Sequence, residues 1–201
     1  MALIGPNFVF IHIPKTAGKF VREVIRRLRI PHHETGEPTT QTRKSYHDGV
    51  NEIPEEVRKG KLVFGFVRHP LTWLVSYWGW SLSRSKGKRR ALGRFNKGHR
   101  DVAAMFRSSF PKYMRLVLHH CPTAPTAEML GRLGNSRVYK YENLVPALEA
   151  VLQELGYTVP AGFVGRLPKV NVSNSRASYA AMQRALLLKK NADLCARFGY
   201  E

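Results

Sequence analysis

The sequence predicts an α/β fold in one domain, with a central parallel sheet flanked by helices. Short apolar runs rich in Val, Ile and Phe are typical of buried parallel strands. These runs alternate along the chain with segments whose apolar residues recur at helical spacing. The chain has 201 residues and a hydrophobic content of 43%, which suits a single domain over residues 1–201 with a full core.

The first predicted strand, Asn7–Ile13, has the sequence NFVFIHI and leads into a helix over Thr16–Leu28. The apolar side chains of this helix recur at helical spacing, at Phe20, Val21, Val24, Ile25 and Leu28. The polar segment Pro31–Asn51 has no clear period and is predicted to form a long loop. Long loops in compact domains often carry function.

A second strand is predicted over Lys61–Val67 and ends at Arg68-His69-Pro70. Pro70 suits the first turn of a helix, which continues over Leu71–Trp80. The later predictions are a strand over Ser136–Tyr141, a helix from about Leu144 to Leu155, and a last amphipathic helix over Ser178–Phe198.

The charge is strongly positive, with 33 Lys and Arg against 14 Asp and Glu and a net charge of +19. This excess predicts an anionic partner or substrate without identifying it. Part of the excess lies at about residues 84–100, where no residue is acidic and three glycines interrupt any helix. The run is interpreted either as a solvated, mobile basic loop or as an electropositive collar for an anionic acceptor or nucleic acid.

The cysteines and the hydropathy pattern set further expectations. Cys121 and Cys195 lack the spacing of a metal site and are expected to be free thiols. The first strand begins close to Met1, and no run of about 18 apolar residues occurs. We therefore expect neither a signal peptide nor a membrane span, and residence in the cytoplasm.

The stretch FIHIPKTAGKF, Phe10–Phe20, places a glycine-containing loop between a strand and a helix. Such a loop presents backbone N–H groups and the positive end of a helix dipole, which together favour an anion. A complete Walker A loop would need a glycine at Ile13 and a hydroxyl at Phe20, where it would hold magnesium. On this stretch alone, an ordinary strand-to-helix turn with a solvated lysine stays open.

A second motif follows the second strand. The sequence FVRHPLTWLVSYW contains R-x-P-x-x-x-x-x-S, with Arg68 at the strand end and Ser76 in the next helix. Together with PKTAG, Pro14–Gly18, it resembles the sulfotransferase superfamily, in its carbohydrate-type (heparan/chondroitin sulfotransferase-like) branch. Three further stretches are similar to that family: VYKYENL, LPKVNVS and DLCARFGY.

The resemblance implies a P-loop nucleotide-kinase-like sulfotransferase fold and the donor 3′-phosphoadenosine 5′-phosphosulfate (PAPS), with PAP as product and no metal. It implies that the first loop binds the 5′-phosphosulfate through Lys15, Thr16, Ala17, Gly18, Lys19 and Phe20. Arg68 and Ser76 would bind the 3′-phosphate, and Lys169 and Asn171 would contact the nucleotide from the late loop. Lys15 is the candidate catalytic cation, because a fixed positive charge stabilises the oxygen of the departing phosphate.

The chain also departs from the family pattern. Lys19 and Phe20 stand where members usually carry hydroxyl residues, so Lys19 or backbone N–H groups are expected to replace a hydroxyl contact. His69 replaces a common Asp, and Thr72-Trp73 replaces a Glu-Arg pair. These differences weaken the subfamily assignment more than the identity of the donor.

In several members of the carbohydrate type a histidine between the first helix and the R-x-P strand acts as base, and the resemblance implies that role for His47, in YHDG. Its near-neutral pKa range suits a general base. The rivals for this role in the same loop are His32, His33, Glu34 and Asp48.

The sequence does not identify the acceptor, and an acidic glycan, a lipid-linked sugar, a phenol and a small alcohol all stay open. It also does not distinguish O-sulfation from N-sulfation and does not give the oligomeric state. Two other functions stay as alternatives. A kinase-like phosphotransferase would share the fold but needs a complete Walker loop and a carboxylate for magnesium. A nucleic-acid-binding module would explain the charge, but nucleic acid is not the expected partner, because no recognisable binding motif accompanies the basic run.

Overall fold

A computed structural model of the chain describes residues 2–35, 49–85, 108–120, 127–168 and 177–201. Contacts divide the chain into two compact units. The first comprises Met1–His69 and Glu128–Val172, and the second comprises Pro70–Ala127 and Ser173–Glu201. The expectation that residues 1–201 form one domain stays a prediction.

A five-stranded sheet with the order β3-β1-β2-β4-β5 forms the centre of the first unit. The strands are β1 Leu3–Ile4, β2 Phe8–Ile11, β3 His33–Glu34, β4 Leu62–Val67 and β5 Arg137–Lys140. Strands β2, β4 and β5 are parallel, whereas β1 is antiparallel to both β2 and β3. The predicted α/β class with parallel central strands is therefore confirmed, and the sequence did not predict the short antiparallel edge.

Nine α-helices occur in the described residues. They are α1 Gly18–Arg27, α2 Glu55–Arg58, α3 Pro70–Ser85, α4 Phe110–His120, α5 Ala127–Leu133, α6 Leu144–Glu154, α7 Phe163–Arg166, α8 Ala181–Lys190 and α9 Ala192–Phe198. Two 3₁₀ turns, Val50–Glu52 and Tyr141–Asn143, complete the regular structure of these residues. None of the helices that the structure describes is long and apolar enough to cross a membrane.

Aromatic side chains from β2 and β4 cover one face of the sheet. Because side chains alternate along a strand, Phe8 and Phe10 of β2 share this face with Phe64 and Phe66 of β4. Phe10 pairs with Phe64 in register, and their ring centroids are 5.3 Å apart. These rings pack in one buried cluster with Val21, Val24 and Ile25 of α1 and with Leu148, Val151 and Leu152 of α6.

The other face of the sheet carries Gly65, which pairs with Ile11. A Cβ atom at Gly65 would overlap Cδ2 of Leu133 in α5 and would lie 3.0 Å from the carbonyl oxygen of Ile11. Leu133 is fully buried. Helix α5 therefore lies against this face because residue 65 has no side chain, and helices cover both faces of the sheet as predicted.

Residue Asn7, just before β2, is tied to the segment after α6. Its Nδ2 atom donates a hydrogen bond of 2.8 Å to the carbonyl of Leu155. The hydroxyl of Tyr157 donates one of 2.7 Å to Oδ1 of Asn7. The beginning of the central strand is thus held by residues near position 156.

In the second unit, the described residues contain α3, α4, α8 and α9. Aromatic rings connect α3 with α4, since Trp78 and Phe110 have centroids 5.2 Å apart, and Phe110 also contacts Tyr179 at 4.9 Å. The indole N–H of Trp78 donates to the carbonyl of Ser108, and the hydroxyl of Tyr179 donates to that of Leu71. Burial raises the pKa of Tyr179, which keeps this donor protonated.

The predicted elements are present with shifted ends, and one needs correction. The single helix predicted over Ser178–Phe198 is wrong: α8 begins at Ala181, and the helix breaks at Asn191 before α9. The Leu187 carbonyl accepts both the backbone amide of Asn191, at 3.1 Å, and its Nδ2 atom, at 2.7 Å, so the side chain of Asn191 adds a local bond at the end of α8. Helices α2, α4, α5 and α7 and strands β1 and β3 were not predicted.

We predict that Gly65→Ala destabilises the protein by about 1–3 kcal/mol, because the added methyl overpacks the contact with Leu133 and Ile11. Gly131→Ala is the matched control, since Gly131 is an exposed helical residue and its Cβ would have no neighbour within 4 Å. That change should stabilise by up to about 1 kcal/mol through helix propensity. Urea unfolding measures both, and equal effects of the two substitutions would contradict this account of Gly65.

Candidate functional site

The loop between β2 and α1 has an unusual backbone conformation. Lys15 and Ala17 have φ angles of 65° and 66°, in the left-handed region that non-glycine residues seldom adopt. Thr16 between them is fully buried, and its hydroxyl donates a hydrogen bond of 2.8 Å to the carbonyl of Ile13. This hydrogen bond within the loop holds its conformation. Strained backbone of this kind is concentrated at functional sites.

Helix α1 begins in this loop without a side-chain cap. The carbonyl of Ala17 accepts hydrogen bonds from the amides of Phe20 and Val21, at 2.8 and 3.0 Å. The amides of Gly18 and Lys19 come before the first of these bonds, where a helix offers N–H groups and a positive dipole end to an anion. Phe20 contributes neither its amide nor its ring, because the ring is buried in the core.

Gly18 has a packing role that the sequence did not indicate. A Cβ atom at this position would overlap three ring atoms of His12. The His12 ring stacks against Phe10, with centroids 6.4 Å apart and an angle of 17° between the planes. The glycine thus allows a histidine at the end of β2 to pack against the first turn of α1.

Three cationic side chains meet at this loop. Lys15 is half-buried, and its pKa is lowered chiefly by burial and further by the charges of Arg68 and Lys19. Arg68 follows β4, and its Nη1 atom donates a hydrogen bond of 3.4 Å to the carbonyl of Lys15. The two sequence motifs are therefore adjacent in space, and their positive charges repel one another in a way that a bound anion would relieve.

Arg68 also contacts the segment that follows β5. Its guanidinium carbon lies 4.4 Å from the ring centroid of Tyr141. The backbone amide of His69 donates a hydrogen bond of 2.9 Å to Oε1 of Glu142. Sequence reasoning used Tyr141 and Glu142 for the family resemblance and missed these contacts, although the parallel order of β4 and β5 brings the ends of both strands to one edge.

The structure says less about the other residues that were predicted to contact the nucleotide. Ser76 lies on α3, in the second unit, and is buried. Its shared role with Arg68 at one phosphate stays a prediction. Lys169 and Asn171 lie outside the described residues, and so does the basic run beyond Ser85, where α3 ends.

The candidate bases fall into two groups. His47 and Asp48 lie outside the described residues, so both stay hypotheses. Glu34 forms an ion pair with Arg22, with 2.7 Å between Oε1 and Nε, so this carboxylate already has a cationic partner.

The two described histidines of this segment lie at the edge of the sheet. The Nδ1 atom of His32 lies 2.9 Å from the carbonyl of Ile30, so this nitrogen carries the proton. His33 is exposed on β3. Strand β1 lies between β3 and β2, so β3 is two strand spacings, about 10 Å, from β2. These positions are therefore at some distance from the loop before α1.

A scan against models of known protein families gives no match for this chain, and a search of curated proteins gives none. Among the side chains that the structure describes, no group of three or more His, Cys, Asp or Glu is placed to hold a metal ion. The function of the site is therefore inferred from its own residues.

We predict that Gly18→Ala lowers the free energy of unfolding by about 1–3 kcal/mol, because its methyl group displaces the His12 ring. The same substitution in a His12→Ala background should cost at least about 1 kcal/mol less. Urea unfolding of the four proteins in this double-mutant cycle measures the difference. An equal cost in both backgrounds would show that the ring does not restrict residue 18.

Proposed function

We propose that the chain is a sulfotransferase that takes the sulfuryl group of PAPS and passes it to an acceptor hydroxyl or amine. One observation carries the proposal. Arg68 of the R-x-P motif reaches the carbonyl of Lys15 in the PKTAG motif, 53 positions away in sequence, at 3.4 Å. Two motifs that resemble one family thus contribute to a single cationic cluster.

The donor groups of this cluster fit a nucleotide with two phosphate groups. Lys15, Lys19 and Arg68 are cations, and the amides of Gly18 and Lys19 add neutral donors at the start of α1. An Arg guanidinium binds phosphate oxygens through two parallel N–H groups, whereas Lys acts as a point charge. We therefore assign the 5′ group to the loop and Lys15, and the 3′-phosphate to Arg68.

When bound, PAPS supplies a sulfuryl group attached to a phosphate leaving group. Lys15 is positioned to stabilise the negative charge that grows on that phosphate oxygen. The lowered pKa of Lys15 reflects burial beside two other cations. A bound phosphate would favour the charged ammonium form of Lys15. The same positive charge would therefore bind the phosphate and stabilise the leaving group.

The acceptor is proposed to be a carbohydrate or another small or anionic molecule. Residues 70–127 and 173–201, the second unit, contain 16 Lys and Arg against 3 Asp and Glu. Most of the net positive charge of the chain therefore lies there, which favours attraction of an anionic acceptor. His47 stays the proposed base for the acceptor proton.

We predict that PAP raises the melting temperature and that ATP with magnesium does so much less. A ligand at a hundredfold excess over its Kd stabilises the native state by about 2.7 kcal/mol. Arg68→Ala should weaken PAP binding about 10–150-fold, the loss of a charge-assisted bond, and leave AMP binding, which lacks the 3′-phosphate, nearly unchanged. Calorimetry measures both affinities.

Arg166→Ala is the control for this experiment, because Arg166 is an exposed arginine on α7 in the same unit. It should leave the affinities for PAP and AMP unchanged. Equal losses for PAP and AMP in Arg68→Ala would assign Arg68 a structural role. A larger thermal shift with ATP and magnesium would favour the kinase-like alternative.

We also predict that the affinity for PAP falls as the pH rises through the lowered pKa of Lys15. The ammonium form binds the anion, and the neutral amine present above that pKa does not; both phosphate groups are already ionised above about pH 7. Lys15→Arg should remove this alkaline loss, because arginine stays charged. Titrations from pH 7 to 10 test this, and an identical fall in Lys15→Arg would exclude Lys15 as the titrating group.

A further inference from the structure

The chain segments after β4 and β5 leave the sheet side by side. The last register pair of these parallel strands is Val67 with Lys140. The next residues are therefore Arg68 on one strand and Tyr141 on the other. Tyr141 opens the 3₁₀ turn Tyr141–Asn143, so its backbone is fixed directly after the sheet ends.

The contact between Arg68 and Tyr141 restricts the position of the guanidinium group. The guanidinium carbon lies 4.4 Å from the ring centroid, within the range of a cation–π interaction. The five N–H donors of arginine lie in the plane of the guanidinium group. One of these donors, on Nη1, reaches the carbonyl of Lys15, so the guanidinium is placed by the Tyr141 ring and by the loop before α1.

The backbone beside Arg68 is fixed by a second contact from the same turn. Oε1 of Glu142 accepts a hydrogen bond of 2.9 Å from the amide of His69. Pro70 follows and restricts its own φ angle. The chain that carries Arg68 is therefore held on its C-terminal side by a carboxylate and by a proline.

We propose that Tyr141 and Glu142 are positioning residues for the anion that Arg68 binds. Tyr141 sets the plane of the guanidinium, and Glu142 fixes the backbone that carries it. The inference rests on the proposed function in one respect, since the anion is taken to be the 3′-phosphate of the nucleotide. It adds a third chain segment, after β5, to the binding site.

The test compares Tyr141→Leu with Tyr141→Phe, using PAP, AMP and inorganic pyrophosphate as probes. Tyr141→Leu removes the ring and should weaken PAP about 3–30-fold, within the range from exposed to desolvated cation–π contacts, with AMP changed less than about twofold. Tyr141→Phe keeps the ring and should bind PAP within about twofold of the wild type. In an Arg68→Ala background, Tyr141→Leu should have no further effect on PAP.

Glu142 provides a second pair of variants that does not depend on the folding of Tyr141→Leu. Glu142→Gln keeps an oxygen for the amide of His69 and should retain PAP affinity. Glu142→Ala removes that acceptor and should weaken PAP while sparing AMP. Equal losses for PAP and AMP in both Tyr141→Leu and Glu142→Ala, or unchanged PAP affinity in both, would overturn the positioning role.

Binding of pyrophosphate distinguishes a failure of this inference from a failure of the proposed function. If the wild type fails to bind PAP but binds pyrophosphate, and Tyr141→Leu weakens pyrophosphate, the proposed function is wrong and the positioning role stands. If the wild type binds PAP and Tyr141→Leu binds it equally well in a folded protein, the positioning role is wrong and the proposed function stands. If the wild type binds neither probe, both are overturned.

Discussion

The parallel pairing of β2 with β4 and of β4 with β5 is the constraint on which the candidate site depends. Parallel strands end at the same edge of a sheet, so the loop after β2, Arg68 after β4 and Tyr141 after β5 meet there. The pairing of Phe10 with Phe64 fixes the register, because a slip of one residue would turn the phenylalanines away from α1 and α6. The aromatic core thus sets the positions of the cations as well as the stability of the sheet.

The site combines two unfavourable features that the surrounding structure maintains. Lys15 and Ala17 hold left-handed backbone, and Lys15 is half-buried beside other positive charges. Glu142, on the segment after β5, accepts a hydrogen bond from the backbone amide of His69 beside Arg68. Both features cost free energy in the unliganded protein. A bound anion would offset the repulsion between the positive charges.

The sequence predicted the parts of the molecule that have a local signal. The strands β2 and β4 are apolar runs, β5 lies in a stretch with Val and Tyr, and α1 and α6 have helical periodicity, so each was placed within a few residues. Strands β1 and β3 have two residues each, which is too short to show any period. Lys15 and Arg68 were identified by their motifs, whereas the contacts of Arg68 with Tyr141 and of Gly18 with His12 depend on the register and packing of the folded sheet, which no local pattern contains.

The order of the segments along the chain has a consequence for synthesis on the ribosome. The central strand β2 is made before its parallel neighbour β4, and the residue that bonds Asn7, Tyr157, comes much later still. At 5–20 residues per second, roughly 6–25 s separate the emergence of Lys15 from that of Tyr141. Through this interval the nascent chain has β2 and then β4 without β5 and without the helix that follows it, so apolar sheet surface is exposed. Chaperones protect nascent chains of such non-local topology in this situation.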